Sequence, residues 1–92
     1  MSVIFTTRIK DKTIRLTVRQ WKHISYRHPE MSNKLNEIEL VLLYPDYQLE
    51  KNFVRRCYKY IKEENKYLMV AVRILNGEGF VITSYMTRKI QK

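Results

Sequence analysis

The segment of residues 67–75 is the feature that most constrains how this chain can fold. The side chains of a strand point alternately to its two faces. One face of this segment carries four branched apolar residues, Leu68, Val70, Val72 and Ile74, and the other carries Tyr67, Met69, Ala71 and Arg73. The pattern predicts a central strand whose apolar row is covered by helices, while the second row forms a partly open concave surface.

Further strands are predicted before and after this segment. Residues 53–61 and 79–87 are rich in β-branched and aromatic side chains, and short turns at 62–65 and 76–78 join them to the central strand. Asn76-Gly77 is a strong hairpin signal. Residues 3–9 and 13–18 are also rich in β-branched side chains and surround a polar turn. The sequence therefore predicts an N-terminal hairpin and a C-terminal meander of three strands.

Two helices are predicted between these groups of strands. Thr17 and Gln20 can form a capping box, so the first helix should begin at about Val18. Pro29 disfavours helical geometry in the residue before it, which makes His28 the expected last residue of that helix. A second helix is indicated by a cap at Ser32 or Asn33 and by apolar residues at helical spacing, which are Leu35, Ile38, Val41 and Leu42. Residues 44–46 should end it.

The predicted order of elements is ββααβββ. This order is typical of the α+β class, here with two N-terminal helices packed on a mostly antiparallel sheet. The chain has 92 residues, of which 45% are hydrophobic, and this suffices for one core but not for two. We therefore expect residues 1–92 to form a single domain.

The charge balance of the chain indicates a polyanionic partner. It contains 18 Lys and Arg against 9 Asp and Glu, a formal net charge of +9. Residues 1–29, 30–52 and 53–92 carry net charges of +6, −3 and +6, so the positive charge lies in two segments that folding can bring together. An excess of this size on a small domain most often indicates that the partner is a nucleic acid. A basic surface that binds no ligand is the alternative.

Several classes of protein do not fit the sequence. A membrane-spanning helix needs about 18 or more apolar residues in a row, and neither such a run nor a signal-peptide pattern is found. We therefore expect a cytoplasmic protein with no membrane partner. Cys57 is the one cysteine, so an internal disulfide or a zinc cluster is excluded, and a small buried strand residue is its expected role.

Metal-dependent and serine-dependent catalysis also fit poorly, and no cofactor is expected. His23 and His28 are five residues apart, which turns them about 140° from each other on a helix. The acidic residues are scattered, and no nucleophile elbow is found in a chain with 2 glycines. Metal-free cleavage of an RNA phosphodiester remains. This reaction needs a base for the 2′-hydroxyl, an acid for the 5′-oxygen, and cations or hydroxyl donors around the phosphate.

The sequence offers candidates for each of these roles. The groups that can transfer protons are His28, His23 and Glu30, and the cations that can stabilise charge are Arg27, Arg55, Arg73 and Arg88. Val81, Thr83, Tyr85 and Thr87 are expected on one face of the last strand. Thr83 and Tyr85 can donate to a phosphate, and Tyr85 can stack on a base. Ordinary strand packing explains Thr and Tyr equally well, and a histidine at a helix end is commonly structural.

Four motifs resemble a known superfamily of nucleases. They are Trp21-x-His23-Ile24-x-x-Arg27-His28-Pro29-Glu30, the helix end Tyr44-Pro45-Asp46, Tyr58-Lys59-Tyr60, and Val81-Ile82-Thr83-Ser84-Tyr85. In this order they resemble small phage- and plasmid-borne proteins of the barnase/EndoU/colicin/RelE-like nuclease superfamily, over residues 17–90. The resemblance implies a metal-independent ribonuclease on an α+β fold, in many relatives a toxin neutralised by a cognate antitoxin or immunity protein. It places catalysis on His23 or His28, on Lys59, and on Thr83 with Tyr85.

Three hypotheses about function follow from the sequence. The leading one is an RNA-cleaving enzyme, with RNA and an acidic antitoxin or immunity protein as partners. The second is a non-catalytic module on the same scaffold that binds RNA or regulates a partner. The third is a structural homodimer formed through an exposed sheet edge. Incubation with RNA in EDTA separates the first two, because only the enzyme produces fragments.

Overall fold

Residues 2–91, which the computed structural model describes, form one sheet of six strands with two α-helices. The elements in chain order are β1 (Val3–Ile9), β2 (Lys12–Thr17), α1 (Val18–Arg27), a 3₁₀ turn (Pro29–Met31), α2 (Leu35–Leu43), β3 (Tyr47–Lys51), β4 (Val54–Ile61), β5 (Lys66–Leu75) and β6 (Glu78–Thr87). The strands lie in the order β1-β2-β6-β5-β4-β3. The β2–β6 pair is parallel, and the other neighbouring pairs are antiparallel.

The predicted fold of two N-terminal helices on a mostly antiparallel sheet, in the order ββααβββ, is wrong. Both helices lie between strands β2 and β3, and the order over the described residues is ββααββββ. The sheet is mixed, because β2 joins β6 in parallel. The additional strand is β3, an edge strand that pairs only with β4 among the described residues. Its residues are mostly exposed and polar, so the sequence has no alternating apolar pattern there from which the strand could be predicted.

Both helices pack on the same face of the sheet. The row Leu68, Val70, Val72 and Ile74 of β5 is buried there, as predicted, together with Ile24 of α1 and with Ile38, Val41 and Leu42 of α2. Ile14 and Leu16 of β2 complete the same core. We call this side of the sheet the helix face and the opposite side the open face.

Helix α1 begins where the capping signal predicted. The Thr17 hydroxyl accepts a hydrogen bond from the Gln20 amide at 3.1 Å. The Gln20 side chain does not complete the capping box but donates to the backbone oxygen of Ile82 in β6. Because β2 pairs with β6 only from Thr13 to Arg15, α1 continues along the β6 edge beyond the end of β2. The helix ends at Arg27, one residue earlier than predicted.

The start of α2 differs from its prediction. Its N-terminal cap position is Lys34, which makes no side-chain capping hydrogen bond. Ser32 and Asn33 instead form the turn that follows the 3₁₀ segment, so the predicted cap at these residues is wrong. The reason is local. Pro29 begins a short 3₁₀ turn immediately before Ser32, so the polar residues after it continue that turn and do not begin α2.

The open face is filled at its centre, contrary to the prediction of an open concave surface. Met69 and Ala71 are only 1% and 5% exposed, and with Tyr58 they form a second buried cluster. Ile90, beyond the end of β6, packs on this cluster, and the Tyr58 hydroxyl accepts from the Gln91 amide at 3.4 Å. Arg73, at the other end of the same row, remains exposed.

A β-bulge in β6 changes which of its residues share a face. Val72 pairs with Val81 while the preceding Ala71 pairs with Thr83, so Ile82 is an extra residue in β6. Such an insertion reverses the alternation beyond it. Val81 therefore packs into the core of the helix face, whereas Thr83 and Tyr85 lie on the open face. The predicted common face for Val81 and Tyr85 is wrong for this reason.

Candidate active site

The backbone of His28 is fixed on both sides. Its amide donates to Ile24 at 2.8 Å, which closes the last turn of α1, and its carbonyl accepts from the Met31 amide at 2.9 Å. Met31 is fully buried in the main core, so it anchors the 3₁₀ turn that Pro29 begins. His28 is thus held between a helix end and a buried anchor, which fixes the direction of its Cα–Cβ bond.

The His28 side chain meets residues from two other parts of the sequence. Its ring centroid lies 5.2 Å from that of Tyr85 in β6, with the planes tilted by 43°. Its Nδ1 lies 3.9 Å from Glu30 Oε2, which is too long for a hydrogen bond but allows attraction when the ring is protonated. The His28 side chain is 32% exposed, so a ligand can reach it. An imidazole, a carboxylate and a phenol together can carry protons and donate to an anion.

Thr83 lies on the same side of the sheet as Tyr85. Thr83 pairs with Ala71, and Tyr85 pairs with Met69. The side chains of Ala71 and Met69 both belong to the buried cluster on the open face. Residues two apart in a strand are separated by about 7 Å. The Thr83 hydroxyl is therefore close to, but not part of, the contact between Tyr85 and His28.

The other candidates on α1 lie outside this contact. His23 is exposed and is turned about 140° from His28 around the helix axis. Arg27 is exposed in the last turn of α1 and directly precedes His28 in the sequence. The structure thus brings His28, Glu30 and Tyr85 together and leaves His23 apart.

Lys59 and Arg55 lie on the helix face, across the sheet from Tyr85. Lys59 pairs with Leu68, and its Nζ donates to the backbone oxygen of Tyr44 at 3.2 Å. It thereby satisfies a carbonyl at the C-terminal end of α2. Arg55 forms an ion pair with Glu50 at 2.9 Å. Both cations are engaged in holding neighbouring elements and do not converge on His28.

The remaining two predicted cations are exposed. Arg73 lies on the open face of β5, where it pairs with Phe80. Arg88 follows the end of β6 and lines a surface cavity with Tyr60 and Asn65. Over residues 2–91, neither one contacts His28 or Tyr85, so both lie outside the candidate site.

Sequence reasoning missed Arg15 and Phe80. Phe80 is 48% exposed on the open face, between Arg15 of β2 and Arg73 of β5, which both pair with it. We call these three residues the Arg–Phe–Arg row. The sequence placed Phe80 in a strand but did not give its exposure, and its pairing with Arg15 depends on the parallel register of β2 and β6.

The open face of the sheet carries a net positive charge. On the described strands, the open face carries five basic residues, Arg8, Arg15, Lys51, Arg56 and Arg73, and one acidic residue, Glu78, which binds Arg15 at 2.8 Å. The acidic residues of α2 lie on the other side, where Glu39 accepts from the Thr7 hydroxyl at 2.7 Å. Basic residues also lie on the helix side, namely Lys12, Arg55, Lys59 and Lys66 of the strands and Arg19, Lys22 and Arg27 of α1, so both sides of the sheet carry positive charge.

Cys57 is a buried strand residue, as predicted. It packs in the main core. Burial is the main cause that raises the pKa of its thiol to about 11, while Arg55 lowers it and Glu50 raises it. A thiol with a raised pKa stays protonated and is a poor nucleophile, so Cys57 has no part in the candidate site.

No three side chains of His, Cys, Asp or Glu within residues 2–91 are grouped so that they could hold a metal ion. None of the helices in that range is long and apolar enough to cross a membrane.

Comparisons with known proteins gave no match, whether to family models, to characterised proteins or to solved structures. The resemblance to the nuclease superfamily therefore stays an expectation that rests on the four motifs. The case for function depends on the geometry of His28, Glu30 and Tyr85 and on the charge of the open face.

Proposed function

We propose that this protein is a metal-independent ribonuclease that uses His28 for general acid–base catalysis. The observation that carries the proposal is the contact of His28 with Tyr85 and its 3.9 Å approach to Glu30. His28 and Glu30 belong to the motif after α1, and Tyr85 belongs to the last strand. These are motifs on which the superfamily resemblance rests, and their meeting in space supports the proposal.

The proposed reaction needs two proton transfers. The ribose 2′-oxygen attacks the adjacent phosphorus and the bond to the 5′-oxygen breaks, which leaves a 2′,3′-cyclic phosphate and a 5′-hydroxyl. One group takes the 2′-hydroxyl proton and another gives a proton to the 5′-oxygen. We assign these steps to His28 and Glu30. Tyr85 and Thr83 supply hydroxyl donors to the phosphate, and Arg27 supplies positive charge.

The proposal extends to localisation and partners. The protein has a net charge of +9. If it cleaves RNA, we expect it to act in the cytoplasm. By the resemblance it is a toxin, and an acidic antitoxin or immunity protein is its proposed inhibitor. Charge complementarity favours an acidic partner, since opposite potentials accelerate association and select partners.

A second candidate function is a non-catalytic RNA-binding module. The specific observation in its favour is that Lys59 and Arg55 are engaged on the helix face, while Phe80 and Arg73 on the open face are exposed. This arrangement suits binding without requiring a catalytic set. The two candidates differ only in whether the bound RNA is cut.

The test is cleavage of a labelled RNA by the purified protein in EDTA. The parent should produce fragments that end in a 2′,3′-cyclic phosphate, and a DNA of the same sequence should stay intact because it has no 2′-hydroxyl. His28→Ala should lower the cleavage rate by about 10²- to 10⁴-fold, the usual contribution of a general acid or base. Circular dichroism must first show that this variant folds like the parent.

His23→Ala is the matched control, because it removes an exposed histidine from the same helix. It should cleave at close to the parent rate. If His23→Ala abolishes cleavage and His28→Ala does not, the assignment of His28 is wrong. If the parent binds RNA without cutting it, the ribonuclease proposal fails and the binding module is the remaining function.

A further inference from the structure

A transverse row of residues crosses the open face at the position of Phe80. The register of the strands aligns one residue from each, in the order Thr6, Arg15, Phe80, Arg73, Val54 and Lys51. Phe80 is thus the aromatic centre of a row that carries three cations. Each residue of the row is paired with its neighbours in the sheet, so the backbone fixes the order in which these side chains are presented.

The exposure of Phe80 distinguishes it from the other aromatic residues near the middle of the sheet. Phe80 is 48% exposed, whereas Tyr58 is fully buried and Tyr67 and Tyr85 are half-buried. Neighbouring strands are about 4.8 Å apart, so Arg15 and Arg73 flank the Phe80 ring on its two sides. An exposed ring between two guanidinium groups offers a stacking surface and two phosphate ligands at the same place.

A cavity adjoins this row at the point where β2 ends. Its volume is about 530 Å³, and Arg15, Arg19, Gln20 and Phe80 are among the residues that line it. This volume lies within the range of small-ligand sites in proteins. Arg19 adds a further cation to those of the row, while the Gln20 side chain is engaged with Ile82.

We propose that Phe80 stacks with an unpaired base of single-stranded RNA while Arg15, Arg19 and Arg73 bind its phosphates. This inference rests on the proposed function, because it takes RNA as the substrate, and it names where that substrate binds outside the catalytic contact. Phe80 and Tyr85 lie on the same face of β6, five residues and therefore about 16 Å apart. An RNA strand held at Phe80 and directed along β6 reaches His28.

Single-stranded RNA fits this surface better than the other polyanionic partners. Stacking on an aromatic side chain needs a base that is not already stacked in a duplex. The five cations that the strands present on the open face attract phosphates, and Glu78 offsets the charge of only one of them. A protein partner would be expected to bury Phe80 in an apolar patch, but its nearest neighbours in the row are charged.

Binding is tested apart from cleavage with a fluorescent 2′-O-methyl RNA of about ten nucleotides, a length within the range of other single-strand sites. This RNA lacks the attacking hydroxyl, so the parent cannot cut it by the proposed reaction. In anisotropy titrations Phe80→Ala should bind about 5- to 150-fold more weakly, the range for removal of one stacked aromatic. Arg73→Gln should also bind more weakly, and duplex RNA should compete poorly.

Tyr44→Ala is the matched control, since Tyr44 is an exposed aromatic at the end of α2. It should bind like the parent. If Phe80→Ala binds as tightly as Tyr44→Ala, the inference is overturned, and an acidic protein becomes the occupant to test on this face. If the parent binds this RNA through Phe80 but does not cut unmodified RNA, the ribonuclease is overturned and the binding site stands.

Discussion

Replacing Arg73 by Glu should change how RNA binding depends on salt, whereas replacing Arg55 should not. The two arginines belong to adjacent strands but to opposite faces. Arg73 pairs with Phe80 on the open face, and Arg55 pairs with Val72, whose side chain is in the core of the helix face. The sequence alone predicted that both contact RNA, so this pair of variants tests the face that the structure selects.

The expected magnitude follows from the charges of the open face. Its strands carry five cations, and Glu78 offsets one unit of this charge, so about four phosphates can be neutralised. For single strands the logarithm of the affinity falls by about 0.7 per neutralised phosphate for each unit of log salt, which gives a slope of about −2.8. Raising the salt from about 50 to about 200 mM should then weaken binding by about 50-fold.

Arg73→Glu should make this slope less steep, at about −2.1 or closer to zero, because one phosphate contact is lost. Arg55→Glu should keep a slope of about −2.8, although its affinity at low salt should fall slightly through the long-range field. Anisotropy titrations of the 2′-O-methyl RNA at several potassium chloride concentrations measure both slopes. Equal changes in the two variants would refute the assignment of the open face, and a slope near zero for the parent would refute RNA binding altogether.

Three further predictions concern stability and are measured by urea unfolding. The pKa of the Cys57 thiol rises to about 11 from 9.0, so the folded state keeps a proton that the unfolded chain loses. The free energy of unfolding should therefore fall between pH 9 and 11, by at most about 2.7 kcal/mol, and Cys57→Ala should lack this fall. Gly79→Ala should cost about 1–3 kcal/mol, because a Cβ there would lie 2.6 Å from Ile14 Cδ1 and 3.1 Å from Val72 Cγ1. Ser25→Ala should raise stability by about 1 kcal/mol, since the buried Ser25 hydroxyl has no hydrogen-bond partner over residues 2–91. Unchanged pH dependence in Cys57→Ala, a neutral Gly79→Ala or a clearly destabilised Ser25→Ala would each contradict the packing described.

Local signals were sufficient for the elements whose contacts are local. The Thr17 cap, the Asn76-Gly77 turn and the apolar row of β5 depend on neighbouring residues, and the structure contains all three. The strand β3 could not be predicted, because an edge strand with exposed polar side chains lacks apolar alternation. Nor could the parallel pairing of β2 with β6, since no local pattern encodes which distant strand will be a neighbour.

The same distinction applies to the candidate site. The motif of His28 and Glu30 was visible because its residues are consecutive, and the superfamily resemblance connected it with Tyr85. The bulge at Ile82 was not visible, so Val81 was expected to share a face with Tyr85. The separation of Arg55 from Arg73 and the position of Phe80 between two arginines both depend on the register across several strands, which the sequence does not state.

The residues that form the candidate site are far apart in the sequence, so they are synthesised at different times. Gln20 hydrogen-bonds to Ile82, which is 62 residues later in the chain. A ribosome adds about 5–20 residues per second, so about 3–12 s pass between the synthesis of these two partners. During this time β6 has not been synthesised, so α1 cannot pack along its edge and His28 cannot contact Tyr85. If the proposed ribonuclease activity is correct, the nascent chain is inactive beside the RNA of the ribosome that makes it until β6 has been synthesised.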